Sequence, residues 1–363
     1  MADRLRVAIA GTGFGEQYAI GLKGNPDVEL AAVFSRRPER AQAMAERFEI
    51  PFSTHRFEQL LELPGVDVIA IVTPNSTHAQ YVRAAVKARK HVICDKPLAL
   101  SGEEAEALYE AAEMAGVRHV TFVPYRFSPA VLAMKQAMAE GLVGRVVSVR
   151  ARWSVDLRNE PLRWRFQRKL SGAGVVADLG AHIFDLIMWF AGPVRRVLGR
   201  CHTVVPARPT EIGRRLRPVD VPDECCALLE FADTGFGSVN LSWNGTQDQH
   251  LEIEGDRGKL VYHSPSLLQW LAGAGPFDPY VTVTRGDGTH SVASLGGISD
   301  FDRQDTALAK MFGEIVGYLR GGERTPSLAS FKEGAEVLRV VDAVERSQAA
   351  GNWVSVSGPE RPG

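Results

Sequence analysis

The stretch Val7-Ala8-Ile9-Ala10-Gly11-Thr12-Gly13-Phe14-Gly15 decides the fold class. Val7 and Ile9 are β-branched, and a short apolar run of this kind predicts a buried parallel strand. The run ends in glycines, and Tyr18-Ala19-Ile20 beyond them can open a helix. Glycine at a strand-to-helix turn lets the backbone come close to a pyrophosphate. The start of the helix adds free N–H groups and the positive end of its dipole. Gly11, Thr12, Gly13, Phe14 and Gly15 are therefore the first candidate cofactor-binding residues. The loop departs from the usual spacing, because Glu16 stands where a third small residue is expected. The same residues also suit a plain glycine turn between strand and helix.

Working outward, the first third of the chain alternates strand-like and helix-like runs. Strands are expected at 6–10, 30–34, 68–72, 91–94 and 119–123, with helices at 38–48, 78–88 and 102–115. Such alternation predicts a doubly wound parallel sheet, whose ligands bind beyond the carboxyl ends of the strands. After Pro124 the pattern changes. Strong alternation over 145–155, two runs at 224–231 and 236–243 around Ala232-Asp233-Thr234-Gly235, and a further pair at 250–254 and 259–262 predict an antiparallel sheet. One more strand is expected at 281–284, and two helices at 304–319 and 328–349. The expected architecture is α/β: an N-terminal Rossmann domain over 1–124, a second α/β domain with a large open, mostly antiparallel sheet over 125–353, and a tail at 354–363.

Composition narrows the function classes. At 363 residues with 45% hydrophobic content, the chain can bury two substantial cores. A formal net charge of −1 offers no basic field for nucleic acid. There is no apolar signal-peptide core and no apolar run long enough for a bilayer, so no membrane partner is expected. Cys94, Cys201, Cys225 and Cys226 have no metal-ligand spacing, so no metal is expected and a reducing cytoplasm suits them.

A second chemical cluster lies at 171–193. Ser171-Gly172-Ala173-Gly174 precedes a single expected helix over 175–191, stopped by Gly192-Pro193. At 100° per residue, Asp178, His182 and Asp185 share one sector, with Trp189 beside them. A carboxylate one turn from an imidazole suits general acid/base work, and equally a surface ion pair. Asp95-Lys96-Pro97-Leu98 ends a strand of the first domain, at the ligand-binding edge. A partly desolvated Lys96 can share a proton with a substrate hydroxyl, while the alternative is an ordinary solvent-facing lysine before a turn. Arg158, Arg163, Arg165, Arg168 and Lys169 can recognise an anionic substrate group or form a solvated loop. Trp153, Trp164 and Trp243 can stack on a sugar or fill cores.

The glycine loop, Thr73-Pro74-Asn75 with His78, Asp95-Lys96-Pro97, Arg126 with Pro129, and Gly174 through Asp178-Leu179-Gly180 to His182 and Asp185 together resemble the Gfo/Idh/MocA family. The closing Ala343…Ser347…Gly351 pattern resembles it too, so the likeness spans residues 5 to 356. The resemblance implies a nicotinamide-dependent sugar dehydrogenase or a relative acting on cyclitols or other polyols. Carried over by position, Lys96 binds and polarises the reacting hydroxyl, His182 accepts its proton and Asp178 orients His182 or the substrate. Arg126 and Trp153 are further candidate substrate contacts. Thr73, Pro74, Asn75, His78, Asp95, Lys96 and Pro97 join the glycine loop as candidate cofactor contacts. The sequence departs from the family at Asp95, where Glu is commoner, and at Glu16. Two other functions fit the resemblance: a hydrolase that uses NAD as a non-dissociating catalyst, and a non-catalytic cofactor-binding sensor.

Two expectations complete the reading. An NAD enzyme usually places an acidic residue about twenty residues after the glycines. Here Ser35-Arg36-Arg37 stands there, so Ser35 and Arg36 point to a 2′-phosphate and to NADP over NAD. Val147, Val149, Ala151 and Trp153 are expected on one side of a strand, an apolar sheet face that a second copy would cover in a homodimer or homotetramer.

Overall fold

In the computed structural model, residues 4–233, 235–264, 280–294 and 304–357 are described. The chain divides into two units, Met1–Pro124 with Arg303–Ala335, and Tyr125–Asp302 with Glu336–Gly363. The first is built on strands β1 (Leu5–Ala10), β2 (Val28–Phe34), β3 (Phe52–Thr54), β4 (Val68–Ile71), β5 (His91–Asp95) and β6 (His119–Phe122). They form one parallel sheet in the order β3-β2-β1-β4-β5-β6. The order reverses between β1 and β4, which opens the ligand crevice of a doubly wound fold at the carboxyl ends of those two strands. Helices α1 (Gly15–Lys23), α2 (Pro38–Phe48), α3 (Glu58–Glu62), α4 (His78–Lys87) and α5 (Gly102–Ala115) connect the strands.

Local chemistry explains several of these boundaries. Pro38 opens α2, where its fixed φ and missing N–H cost nothing. Ser101 caps α5 by accepting from the Glu104 N–H at 3.2 Å, and the Glu104 carboxylate accepts back from the Leu100 N–H at 3.4 Å. The helix Gln304–Leu319 belongs to this unit because Phe312 packs on Phe122 and Tyr18, with ring centroids at 5.4 and 5.1 Å. Local pattern does not reveal that attachment, and the sequence reading had placed these residues in the second domain.

In the second unit, α6 (Pro129–Ala139) leads into β7 (Val146–Asp156). Three short helices follow: α7 (Arg168–Ser171), α8 (Val175–Asp178) and α9 (Gly180–Ala191). Then come β8 (Val194–His202), β9 (Ala207–Pro209), β10 (Leu216–Pro218), β11 (Glu224–Phe231), β12 (Phe236–Ser242), β13 (Asn244–Gly255), β14 (Gly258–Ser264), β15 (Tyr280–Arg285) and β16 (His290–Ser294). With β17 (Val354–Ser355) they form a nine-stranded sheet, β16-β15-β14-β13-β7-β12-β11-β8-β17, while β9 and β10 pair separately. Among the described residues only β7 and β12 pair in parallel within the larger sheet.

Three expectations are corrected here. The run at 175–191 is two helices, with a 41° bend between the segments Arg168–Asp178 and Gly180–Ala191. At the break the His182 N–H bonds the Leu179 carbonyl, a tighter spacing than the α-helical one. The stretch expected as a tail starts with β17, which pairs with Val197 and Arg196 of β8, and residues 358–363 lie outside the described residues. The apolar side of β7 is also covered from within the chain. Val149, Ala151 and Trp153 are buried on the side that α8 and α9 cover. Val147 is exposed instead, beside the register shift at Glu254/Gly255 that breaks the alternation. The open face carries Arg150, paired with Glu252 and Glu254, and Arg152, paired with Asp248. The turn expected at 232–235 joins β11 to β12, with Thr234 outside the described residues. Among the described residues no single helix is long and apolar enough to cross a membrane.

Candidate active site

In the first unit, the candidate cofactor residues follow the carboxyl ends of β1, β2, β4 and β5. Gly11 has φ +117°, and a Cβ there would lie 2.2 Å from the Val72 carbonyl oxygen. No other residue type fits, so the turn that brings β1 close to β4 requires glycine. A Cβ on Gly13 would meet nothing within 4 Å, which leaves the backbone open to approach. Phe14 stands at the N-cap of α1, and its side chain makes no cap hydrogen bond to the start of the helix. This cradle fits a dinucleotide pyrophosphate. Glu16, the residue that breaks the usual spacing, turns to Arg47 at 2.5 Å on α2.

Ser35 follows β2 and accepts from the Arg37 N–H at 3.3 Å, while Arg36 and Arg37 are exposed. Between the start of α2 and the end of β3 lies a cleft of about 330 Å³ lined by Glu39, Gln42, Ser53, Thr54 and His55. The loop after β4 is braced by the Thr77 hydroxyl, 2.7 Å from Thr73 Oγ1 and 2.8 Å from the Pro74 carbonyl.

The structure places His78 inside the protein, with Nδ1 2.7 Å from the Pro97 carbonyl and Nε2 2.7 Å from the Thr73 carbonyl. It ties the Thr73-Pro74-Asn75 loop to the loop that carries Lys96. Burial pulls its pKa below the usual value, although the two carbonyls alone would raise it. Asn75 is buried. Asp95 folds back so that Oδ1 accepts the Lys96 N–H at 3.0 Å, and the Lys96–Pro97 peptide is cis. Lys96 is half-buried at the end of β5.

The second unit brings Asp178 and His182 to consecutive turns at the junction of α8 and α9. Gly174, at φ +58°, starts α8. A Cβ there would lie 2.5 Å from the Pro222 carbonyl oxygen, the same oxygen that accepts the Val175 N–H at 3.0 Å. Glycine therefore seats the helix against the segment leading into β11. Asp178 Oδ2 accepts from Arg165 Nε at 3.1 Å and from Trp243 Nε1 at 3.2 Å. The His182 ring meets Tyr125 edge to face, with centroids 4.8 Å apart. Tyr125 Oη accepts from Gln249 Nε2 at 2.5 Å and from Trp153 Nε1 at 3.3 Å.

Several sequence candidates change role in this setting. Trp153 is 1% exposed, stacked on Tyr262 with centroids 6.0 Å apart, so its faces lie in the core and it reaches His182 through Tyr125. Arg126 is buried and clamps Asp185 with two hydrogen bonds, Nε–Oδ2 at 2.8 Å and Nη2–Oδ1 at 2.7 Å, under the Trp189 ring. Asp185 is thus spent on Arg126, although it shares the helix sector of His182. Trp243 is fully buried and donates to Asp178. Tyr125 and Gln249 went unnoticed in the sequence. A Tyr beside the Arg126 match was the available signal, whereas Gln249 had none. Among the described residues no group of three or more His, Cys, Asp or Glu side chains is placed to hold a metal ion.

Comparison with known proteins agrees with this geometry. The GFO_IDH_MocA model, described as an oxidoreductase family with an NAD-binding Rossmann fold, matches residues 5–122. The GFO/IDH/MocA C-terminal domain matches residues 131–261. Levoglucosan dehydrogenase of Pseudarthrobacter phenanthrenivorans is 30% identical, over 98% of this chain and 98% of its own. D-xylose 1-dehydrogenase (NADP(+)) 2 of Haloferax volcanii is 28% identical over 96% of this chain and 98% of its own. The solved structure of a levoglucosan dehydrogenase in complex with NADH superposes with a TM-score of 0.86 at 27% identity, covering 98% of this chain and all of that one. With both domain models matched and a relative aligned from end to end, the chain is an NAD-binding oxidoreductase of the Gfo/Idh/MocA family.

Proposed function

We propose that the chain moves a hydride between a nicotinamide and a carbinol carbon of a sugar, cyclitol or related polyol. What supports this reading is that Lys96 follows the carboxyl end of β5 in the unit that carries the glycine cradle, while the other unit carries Asp178 and His182 on its α8–α9 junction. The bound nicotinamide supplies the hydride acceptor. The chain's residues manage the proton. In oxidation the hydroxyl proton passes to the His182 imidazole as the C–H bond gives up its hydride and a carbonyl forms. The Lys96 ammonium stabilises the oxygen as negative charge develops on it. Asp178 orients His182 or a neighbouring substrate hydroxyl.

Ser35, Arg36 and Arg37 favour a 2′-phosphate, and no carboxylate stands among these three positions to take the ribose hydroxyls of NAD. The reading is therefore NADP over NAD, as the name of the H. volcanii relative records for that enzyme. The active form is a homodimer or homotetramer that shares the open face of the nine-stranded sheet, where Leu228 and Phe236 are exposed. Four free cysteines suit the reducing cytoplasm. The test is a screen of sugars, cyclitols and sugar acids with both cofactors, following reduced nicotinamide by absorbance. Turnover on a polyol with a higher kcat/KM for NADP supports the reading. Cofactor binding without turnover across the panel contradicts it. Arg36→Ala with unchanged NADP affinity removes the basis of the cofactor preference.

A further inference from the structure

The segment from Arg158 to Lys169 is rich in arginine, and each of its arginines already has a carboxylate. Arg158 pairs with Asp156 at 2.7 Å, Arg163 with Glu211 at 2.8 Å, and Arg168 with Glu345 at 2.7 Å. Arg165 differs in its partner, which is Asp178. Its guanidinium lies over the Trp164 ring, 4.8 Å from the centroid, and donates from Nε to Asp178 Oδ2. Trp243 Nε1 donates to the same oxygen.

The two donors differ in rigidity. The Trp243 indole is fully buried and meets Phe166 edge to face, with centroids 5.4 Å apart. Its backbone is fixed on both sides, by N–H to the Asp223 carbonyl at 2.9 Å and by its carbonyl to the Leu157 N–H at 2.7 Å. Phe166 is pinned in turn under the Arg208 guanidinium, 3.9 Å from the ring centroid. Arg165 is about one-third exposed, whereas the Asp178 side chain is 14% exposed. One immobile neutral donor and one charged donor thus converge on a single carboxylate oxygen. Two donors on one oxygen fix the rotation of a carboxylate and so the direction of its other oxygen.

We infer that Arg165, with Trp243, is the positioning pair that holds Asp178 for the reaction, and that Arg165 is not a receptor for an anionic group on the substrate. The inference rests on the reading above, in which Asp178 serves the reacting hydroxyl. Arg165 acts through Asp178 and touches neither reacting atom.

The test uses Arg165→Met, Arg165→Lys, Trp243→Phe, Asp178→Asn and the double variant R165M/D178N in the full-length enzyme. Its readouts are kcat, KM, cofactor Kd and thermal midpoint. Arg165→Met is expected to lower kcat on the order of tenfold to a hundredfold, the cost of a misplaced group, with cofactor Kd unchanged. Arg165→Lys keeps the charge and recovers part of that loss. Trp243→Phe keeps the ring and loses only the N–H, so it lowers kcat in the same sense. The double variant is no worse than Asp178→Asn alone, because the pair acts as a unit. Arg165→Met with normal kcat beside a crippled Asp178→Asn overturns the inference and leaves the reading of Asp178 standing. So does a defect confined to KM for anionic sugar acids, or one that multiplies with that of Asp178→Asn. An Asp178→Asn enzyme with full turnover overturns both.

Discussion

Replacing Arg126 by Met distinguishes a structural arginine from a substrate-binding one. The guanidinium meets Asp185 through two bonds of 2.7 and 2.8 Å, and the two side chains are 5% and 2% exposed. Such a pair gains little over a well-packed apolar pair, but removing one partner strands a buried charge at a cost of about 3–5 kcal/mol. For a folding unit of 150–250 residues each kcal/mol moves the midpoint by about 2–4 °C, so Arg126→Met should lower Tm on the order of 10 °C. Removing both charges in R126M/D185L should return much of that loss, because no unpaired ion is left in the core. The assay is thermal unfolding by circular dichroism at fixed protein concentration, with KM measured on the same preparations below the transition. An Arg126→Met enzyme with the parental Tm and a raised KM would refute the reasoning, since its guanidinium would then be meeting substrate rather than Asp185.

Two further outcomes follow from the first unit. Gly11→Ala forces a side chain onto the Val72 carbonyl at a φ of +117°, and backbone strain of about 1–3 kcal/mol should appear as weaker cofactor binding in a nicotinamide fluorescence titration. Unchanged affinity together with an unchanged Tm would contradict the close approach described for this turn. The fold should also weaken on mild acidification. Burial lowers the pKa of His78 in the folded chain, as it does for His119 and the half-buried His91. The unfolded chain therefore takes up these protons first. The stability they contribute is complete above about pH 6.5 and is lost as the pH falls toward the folded-state values. Calorimetric midpoints should fall between about pH 7.5 and about pH 5.5, and a midpoint that holds or rises over that range would count against this effect of burial on the three histidines.

Much of the architecture was legible because the local signals were strong. The runs expected at 38–48, 102–115 and 224–231 coincide with α2, α5 and β11. Strand β3 and helix α3 have three and five residues, too few to show a period, and neither was foreseen. The bend at Leu179, the docking of Phe312 on Tyr18 and the pairing of β17 with β8 come from contacts distant in sequence. The candidate site divides the same way. Lys96, Asp178 and His182 stood out by their position on a strand end and a helix sector. Trp243, 65 residues from Asp178, and Tyr125, 57 residues from His182, show their contacts only in the folded chain. Val147 illustrates the limit of alternation, which fails where a register shift turns one residue outward.

The central claim is that Lys96 and His182 act on the same substrate hydroxyl. Its most direct test is steady-state turnover of Lys96→Met and His182→Ala on the best substrate from the screen, with cofactor Kd measured in parallel. The account predicts that each variant loses on the order of a hundredfold or more in kcat, the usual size of an acid/base or charge-stabilising contribution, while cofactor affinity changes far less. A Lys96→Met enzyme with near-normal kcat on that substrate would contradict the account.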